Sequence, residues 1–265
     1  MMTNYFIDMH AHLDRLEHSP EEALQLALKE NIQQIITIGT EPQDWPVVIQ
    51  IAEKFYPQVA CTIGVHPHDG ITWSEQAEAQ MRQLGPKKEV VALGEMGLDY
   101  YYNKTPAAIQ KDCFRRQLQI ASELNLPVEI HTRDAEPDTV EILSEFKGRV
   151  TGLIHCFTGT QWLAEKALDL GFNISISGVV TFKNADDLRK TVQYLPMDRI
   201  HVETDAPFLS PAPLRGKKNT SSHMIHTAKV VADLKAVTME TLAHQTTANA
   251  YQLMPKLNAL LASKS

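Results

Sequence analysis

His10 and His12, in the run Asp8-Met9-His10-Ala11-His12, are separated by one residue at the end of the first apolar stretch. The side-chain period of an extended strand is two, which aims both imidazoles at one face, with Asp8 in line behind them. Such a pair can meet one first-row divalent cation. It supplies only half a coordination shell, so other ligands must come from elsewhere in the chain.

Further candidates close later apolar runs: Gly64-Val65-His66-Pro67-His68, Gly94-Glu95-Met96-Gly97-Leu98-Asp99, Ile130-His131-Thr132-Arg133-Asp134, Ile154-His155-Cys156-Phe157 and Glu203-Thr204-Asp205-Ala206-Pro207. One histidine at a strand end is ordinarily a hydrogen-bonded structural residue. The recurrence of histidines and carboxylates at one end of successive runs marks His10, His12, Glu95, His131, His155 and Asp205 as a metal-binding set. His66 is expected to have a functional role, although Pro67 also allows a structural turn. Glu203, two residues before Asp205 and on the same face, suits a supporting residue, a general base or a buried partner of Arg or Lys.

Other polar residues admit two uses. Cys156 follows His155, but neighbours on a strand face opposite ways, which favours core packing over a Cys-His nucleophilic pair. Tyr100, Tyr101 and Tyr102 suit either base stacking or a lid on the fold. Arg133, Arg215, Lys217 and Lys218 follow the fifth and eighth runs, where they can meet an anionic substrate or form solvated loops.

The elements that must hold these residues are legible as an alternation. Candidate strands run from Tyr5 to Leu13, Gln34 to Thr40, Val59 to Val65, Val90 to Gly97, Pro127 to Thr132, Gly152 to Phe157, Asn173 to Thr181 and Arg199 to Thr204. Helical candidates with apolar residues at spacings of three and four include Pro20 to Glu30, Gln43 to Phe55, Glu75 to Leu84 after Ser74 as N-cap, Ala107 to Leu124 and Leu163 to Leu170. Eight strands, most followed by a helix and with no Ser/Gly-rich or proline-rich linker, predict an α/β fold: a single (β/α)8 TIM barrel over residues 1–265. A helical segment at about 239–261 is expected to cap or flank it. A doubly wound open sheet is the structural alternative, but the Gly-x-Gly-x-x-Gly loop of its dinucleotide-binding form is absent after the first strand.

Composition fits such a barrel. The chain of 265 residues is 43% hydrophobic and 22% charged, enough for a large core. A net charge of -7 argues against a generally basic nucleic-acid-binding surface, yet leaves open a phosphate substrate held through metal ions. Cys61, Cys113 and Cys156 are odd in number and lack Cys-x-x-Cys spacing, which suits reduced thiols. With neither a leader pattern nor a run approaching roughly 18 apolar residues, the expected location is cytoplasmic, without a membrane partner. No obligate protein partner is evident.

These segments, taken together, resemble the TatD family of metal-dependent deoxyribonucleases, within the amidohydrolase-like barrels, over essentially the full length. His155-Cys156-Phe157-Thr158-Gly159 and Glu203-Thr204-Asp205-Ala206-Pro207-Phe208-Leu209 are the most specific matches. The resemblance implies two divalent ions (Mg, Mn or Zn): His10, His12 and Asp205 on one, His131 and His155 on the other, and Glu95 bridging. The family's basic loop Arg-Gly-Lys-Arg-Asn-Glu-Pro reads Arg215-Gly216-Lys217-Lys218-Asn219-Thr220-Ser221 here, keeping the positive cluster and losing the Glu-Pro end.

The expected activity is phosphodiester hydrolysis in DNA, as a 3′-5′ exodeoxyribonuclease acting on single strands or 3′ ends through metal-activated water. Asp205 or Glu203 would take the water's proton. His66 would contact phosphate or assist the leaving group, and Arg133, Arg215 and Lys217 would hold substrate. One alternative is hydrolysis of a small-molecule amide, lactone or phosphoester by the same water. The carbamylated lysine common in the amidase branch has no counterpart, since Glu95 occupies that strand end. A non-catalytic binding or quality-control protein is the third possibility, and the completeness of the ligand set argues against it.

Overall fold

Local chemistry sets where the helices begin and end. Ser19 starts α1 (Pro20–Lys29) with a capping box: its hydroxyl accepts the Glu22 N–H at 3.2 Å, while the Glu22 carboxylate accepts the Ser19 N–H at 2.9 Å. The Ser74 hydroxyl caps α3 (Glu75–Leu84) by accepting the Ala77 N–H, and Asn125, at φ 51°, ends α4 (Ala107–Leu124) in the left-handed region that asparagine tolerates. The remaining helices are α2 (Trp45–Lys54), α5 (Glu136–Glu145), α6 (Gln161–Asp169), α7 (Asp186–Tyr194), α8 (Met224–Leu234) and α9 (Met239–Leu253).

The computed structural model describes residues 5–257. Its strands are β1 (Phe6–Ala11), β2 (Ile32–Gly39), β3 (Val59–Ile63), β4 (Val90–Asp99), β5 (Val128–Arg133), β6 (Gly152–Ile154), β7 (Asn173–Ile176) and β8 (Ile200–Val202). They pair in parallel and in sequence order, β1 through β8. The predicted barrel is therefore the observed one. The seam between β1 and β8 closes at the C-terminal end through a bridge between Ala11 and Ala206, where the His12 N–H donates to Ala206 O at 2.8 Å.

Several strands are shorter than their apolar runs predict. β6, β7 and β8 stop at Ile154, Ile176 and Val202, and the residues beyond leave the ladder. Gly178–Thr181 forms a 3-10 turn instead of the end of β7. In β1 the register shifts between Asp8 and Ala11, so three steps on β1 match two on β2. Ile7 and Met9 pack with Ile36, Ile38 and Leu153 inside the barrel, whereas Phe6 and Ala11 join the larger cluster beneath the helices. The shift breaks the simple alternation along β1.

The opposite end of the barrel is closed by the C-terminal segment. Asn249 Nδ2, on α9, donates to Met197 O at 2.8 Å and Ile200 O at 2.9 Å, and Thr247 Oγ1 donates to Tyr5 O at 2.6 Å. Lys256 Nζ donates to the carbonyls of Gly85, Lys87 and Val90. Ala250, Met254 and Leu257 fill the barrel floor. The expected helical segment at about 239–261 thus includes α9, and its residues 258–261 lie outside the described residues. Among the described residues no helix is long and apolar enough to cross a membrane.

Candidate active site

The C-terminal ends of the strands surround a pocket of about 730 Å³ whose wall includes His12, His66, Glu95, His131, His155 and Asp205. Glu95 lines it from the middle of β4. Gly97, two residues on, has φ 144°, and a Cβ there would overlap the His131 carbonyl, so glycine lets β4 and β5 approach beside the site.

The two oxygens of Glu95 face different imidazoles. Oε2 is 3.5 Å from His10 Nε2, whereas Oε1 is 2.8 Å from His131 Nδ1, 2.7 Å from His155 Nε2 and 3.4 Å from His66 Nε2. On the first side, Asp205 Oδ1 is 3.5 Å from His12 Nε2 and 3.8 Å from His10 Nε2. His10, His12 and Asp205 present ligand atoms close enough to share one cation, and so do His66, Glu95 and His131. The His10 and His155 rings stack at 3.9 Å.

Carboxylates behind these rings fix their orientation. His131 Nε2 lies 3.1 Å from Asp99 Oδ2, which leaves Nδ1 facing Glu95. His68 Nε2 shares the same Asp99 oxygen at 3.0 Å. His10 Nδ1 lies 2.9 Å from Glu129 Oε2, and His155 Nδ1 lies 3.4 Å from Glu203 Oε1. His66 Nδ1 accepts the backbone N–H of His68 at 3.0 Å, which puts the His66 proton on Nε2, toward the pocket. Glu129 is absent from the sequence-derived candidates, and His68 and Asp99 stand in the strand-end segments read from the sequence without a role of their own. Glu129 is two residues before His131, and that spacing on a strand is the one sequence feature pointing to it.

Electrostatics fit a cation. Burial alone would neutralise Glu95, but the imidazoles around it, His155 foremost, hold its carboxyl well below the usual range. Burial likewise opposes charge on His155, yet Glu95 and Glu203 hold its imidazole well above the ordinary value. Burial pushes His66 down to about 4, leaving it neutral. The buried His10 Nε2 has no hydrogen-bond partner and faces oxygens of Glu95 and Asp205. A nitrogen and oxygen donor set of this kind is that of a divalent-metal centre.

The other candidates divide. Arg133 lines the pocket, its guanidinium centre 3.8 Å from the Tyr101 ring centroid and 4.9 Å from that of Tyr102. Arg215 stacks on Phe182 at 3.8 Å and donates to Ser210 O at 3.0 Å; neither it nor Lys217 is part of the pocket wall. Lys218 is 3.9 Å from Glu17. Glu203 is fully buried, accepts the Cys156 N–H at 2.7 Å, and stands behind His155 instead of on the wall. Cys156 is not a core residue: its backbone at φ 41° has left the strand, and the side chain lines the pocket 3.1 Å from Ser177 Oγ. Tyr100 donates to Asp138 at 2.6 Å. Asp8 accepts from the Thr204 N–H at 2.9 Å and its hydroxyl at 2.7 Å, tying β1 to the segment that carries Asp205.

A parallel (β/α)8 barrel with histidines and carboxylates converging at its C-terminal mouth defines a metal-dependent hydrolase. The family model for TatD-related DNases matches residues 7–255, and the chain belongs to that family. It is 41% identical over 249 residues to YabD of Bacillus subtilis, described as an uncharacterised metal-dependent hydrolase, covering 93% of this chain and 97% of that one. A 3′-5′ ssDNA/RNA exonuclease, TatD of Cronobacter sakazakii, is 33% identical over 248 residues, with 91% and 94% covered. The crystal structure of a TatD homologue, YJJV of Escherichia coli K12, superimposes with a TM-score of 0.90 at 27% identity, over 96% of this chain and 99% of that one.

Proposed function

We propose that the protein is a two-metal phosphodiesterase that removes nucleotides from the 3′ end of single-stranded DNA. The observation that carries this is the division of Glu95, one oxygen toward His10 and the other toward His131 and His155. His10, His12 and Asp205 would hold one ion, His131 and His155 the other, with Glu95 between them. Mg2+, Mn2+ and Zn2+ all suit such donors. Divalent cations, when bound, activate water near neutral pH and offset charge at a phosphoryl group.

The residues around that centre have separable tasks. Asp205 is the general base, because its side chain reaches the pocket wall while Glu203 is sealed behind His155. His66 donates its Nε2 proton to a phosphoryl oxygen, a geometry set by the His68 N–H on Nδ1. Arg133 holds an adjacent phosphate, mounted on the two tyrosine rings. Arg215 and Lys217, away from the wall, serve only a longer strand. The exonuclease description of the Cronobacter relative agrees with this substrate.

The test is an assay of metal-loaded protein on 5′-labelled single-stranded DNA with free or blocked 3′ ends, alongside cyclic amides and lactones. Stepwise shortening from free 3′ ends alone is expected with Mg2+, Mn2+ or Zn2+. Turnover confined to the small molecules would replace the nuclease by the amidase alternative.

A further inference from the structure

We propose that the pocket mouth is a split subsite for a terminal nucleotide, in which Phe208 stacks on the nucleobase and Arg133 with Lys104 takes the neighbouring phosphate. This rests on the nuclease function above. The residues that line the pocket differ in chemistry by strand: Phe208 and Leu209 follow β8 and Val179 follows β7, while Lys104 follows β4 and Arg133 ends β5, four and three strands from β8 along the sheet. A nucleotide has the same division, a planar apolar base and an anionic phosphate.

Phe208 is built as a platform. The residue is 49% exposed, and its backbone is held: its N–H donates to Asp205 O at 2.8 Å, and its carbonyl accepts Asn219 Nδ2 at 2.7 Å. Asn219 is buried and also donates to Thr204 O at 2.9 Å. The ring stands edge-on to His12, with centroids 5.8 Å apart. An exposed aromatic on a fixed backbone, next to a metal-ligand candidate, offers stacking with little loss of chain entropy.

The tyrosines serve differently. Arg133 lies over Tyr101 and close to Tyr102, and Lys104 Nζ is 5.9 Å from the Tyr102 centroid. Their rings support the cations, whereas no cation covers the Phe208 ring among the described residues. Stacking therefore belongs to Phe208, beyond β8, and charge recognition to Arg133, at the end of β5, and Lys104, beyond β4.

Two single-stranded oligonucleotides that differ only in the 3′-terminal residue, normal or abasic, test the base half. Phe208→Ala should raise KM for the normal strand roughly 5- to 150-fold, leave the abasic strand within about twofold, and keep the wild-type unfolding midpoint. Phe208→Trp should preserve the preference for the normal end. For the phosphate half, Arg133→Met should weaken binding of the oligonucleotide but not of a dinucleoside monophosphate that lacks a flanking phosphate, and should reduce the salt dependence. Equal effects of Phe208→Ala on both strands, or none on either, would overturn the stacking subsite. Equal effects of Arg133→Met on both substrates would overturn the phosphate half. Failure of the wild type to cut any strand overturns the nuclease function itself, and is thereby distinguished from failure of the subsite.

Discussion

His10 Nδ1 lies 2.9 Å from Glu129 Oε2, and neither side chain has any exposed surface. The carboxylate holds the proton on Nδ1 and leaves Nε2 as the nitrogen that faces Glu95 and Asp205. Glu129→Gln, which retains an acceptor without the charge, is expected to weaken metal affinity about tenfold, and Glu129→Leu about a hundredfold, with unchanged circular dichroism. Competition with a chromophoric chelator measures this. Equal affinity in all three proteins would show that Glu129 has no part in orienting His10.

Glu95 touches every imidazole group at the centre except that of His12. Glu95→Ala should abolish hydrolysis while leaving the barrel folded. In the wild type, metal should raise stability by about 2.7 kcal/mol at a hundred times its dissociation constant, reversibly with chelator. The variant should lose most of that response. Full nuclease activity in the folded variant would refute the bridging role.

Asn249 serves stability, far from the pocket. Its amide donates to two carbonyls beside β8, and truncation leaves both without that partner. Asn249→Ala should cost about 2–3 kcal/mol in chemical denaturation and leave kcat unchanged. A loss of kcat without loss of stability would contradict a purely architectural role.

His201 gives the fold an acid-sensitive element. Burial, followed by the nearby Arg199, pushes its imidazole down to about 3. Asn173 directs Nδ2 at His201 Nε2 (2.9 Å) because its oxygen accepts from Arg199 Nε (2.6 Å), so a second ring proton has no acceptor there. Below pH 6.5 the unfolded chain binds a proton at this residue that the folded chain refuses. Stability from this group is therefore complete above 6.5 and declines as the pH falls toward 3, by up to about 5 kcal/mol. His201→Leu should flatten that part of the profile. Urea midpoints between pH 7.5 and 4.5 that fall in parallel for both proteins would exclude it.

Much of the fold and of the candidate ligand set was legible locally. The alternation of apolar runs with helical spacings specified eight strand-helix units, and a parallel barrel brings the ends of all its strands to one mouth, so His10, Glu95, His131, His155 and Asp205 had to be near one another. Length of a strand was less legible, because an apolar residue looks alike whether it pairs in the ladder or, as at Phe157, lies beyond it. Cys156 was misjudged for that reason: strand alternation no longer applies at φ 41°.

By itself the sequence determined which chemical groups reach the barrel mouth, since residue type and a period of two are properties of each strand alone. Only the tertiary structure decided what stands behind them. Asp8 meets Thr204, strands that are not ladder neighbours set Glu129 of β5 against His10 of β1 and Glu203 beyond β8 against His155 beyond β6, and the Tyr101 and Tyr102 rings lie against Arg133. The physical reason is that a strand's own periodicity orients a side chain relative to that strand, whereas the atom it meets depends on the stagger and closure of the whole barrel.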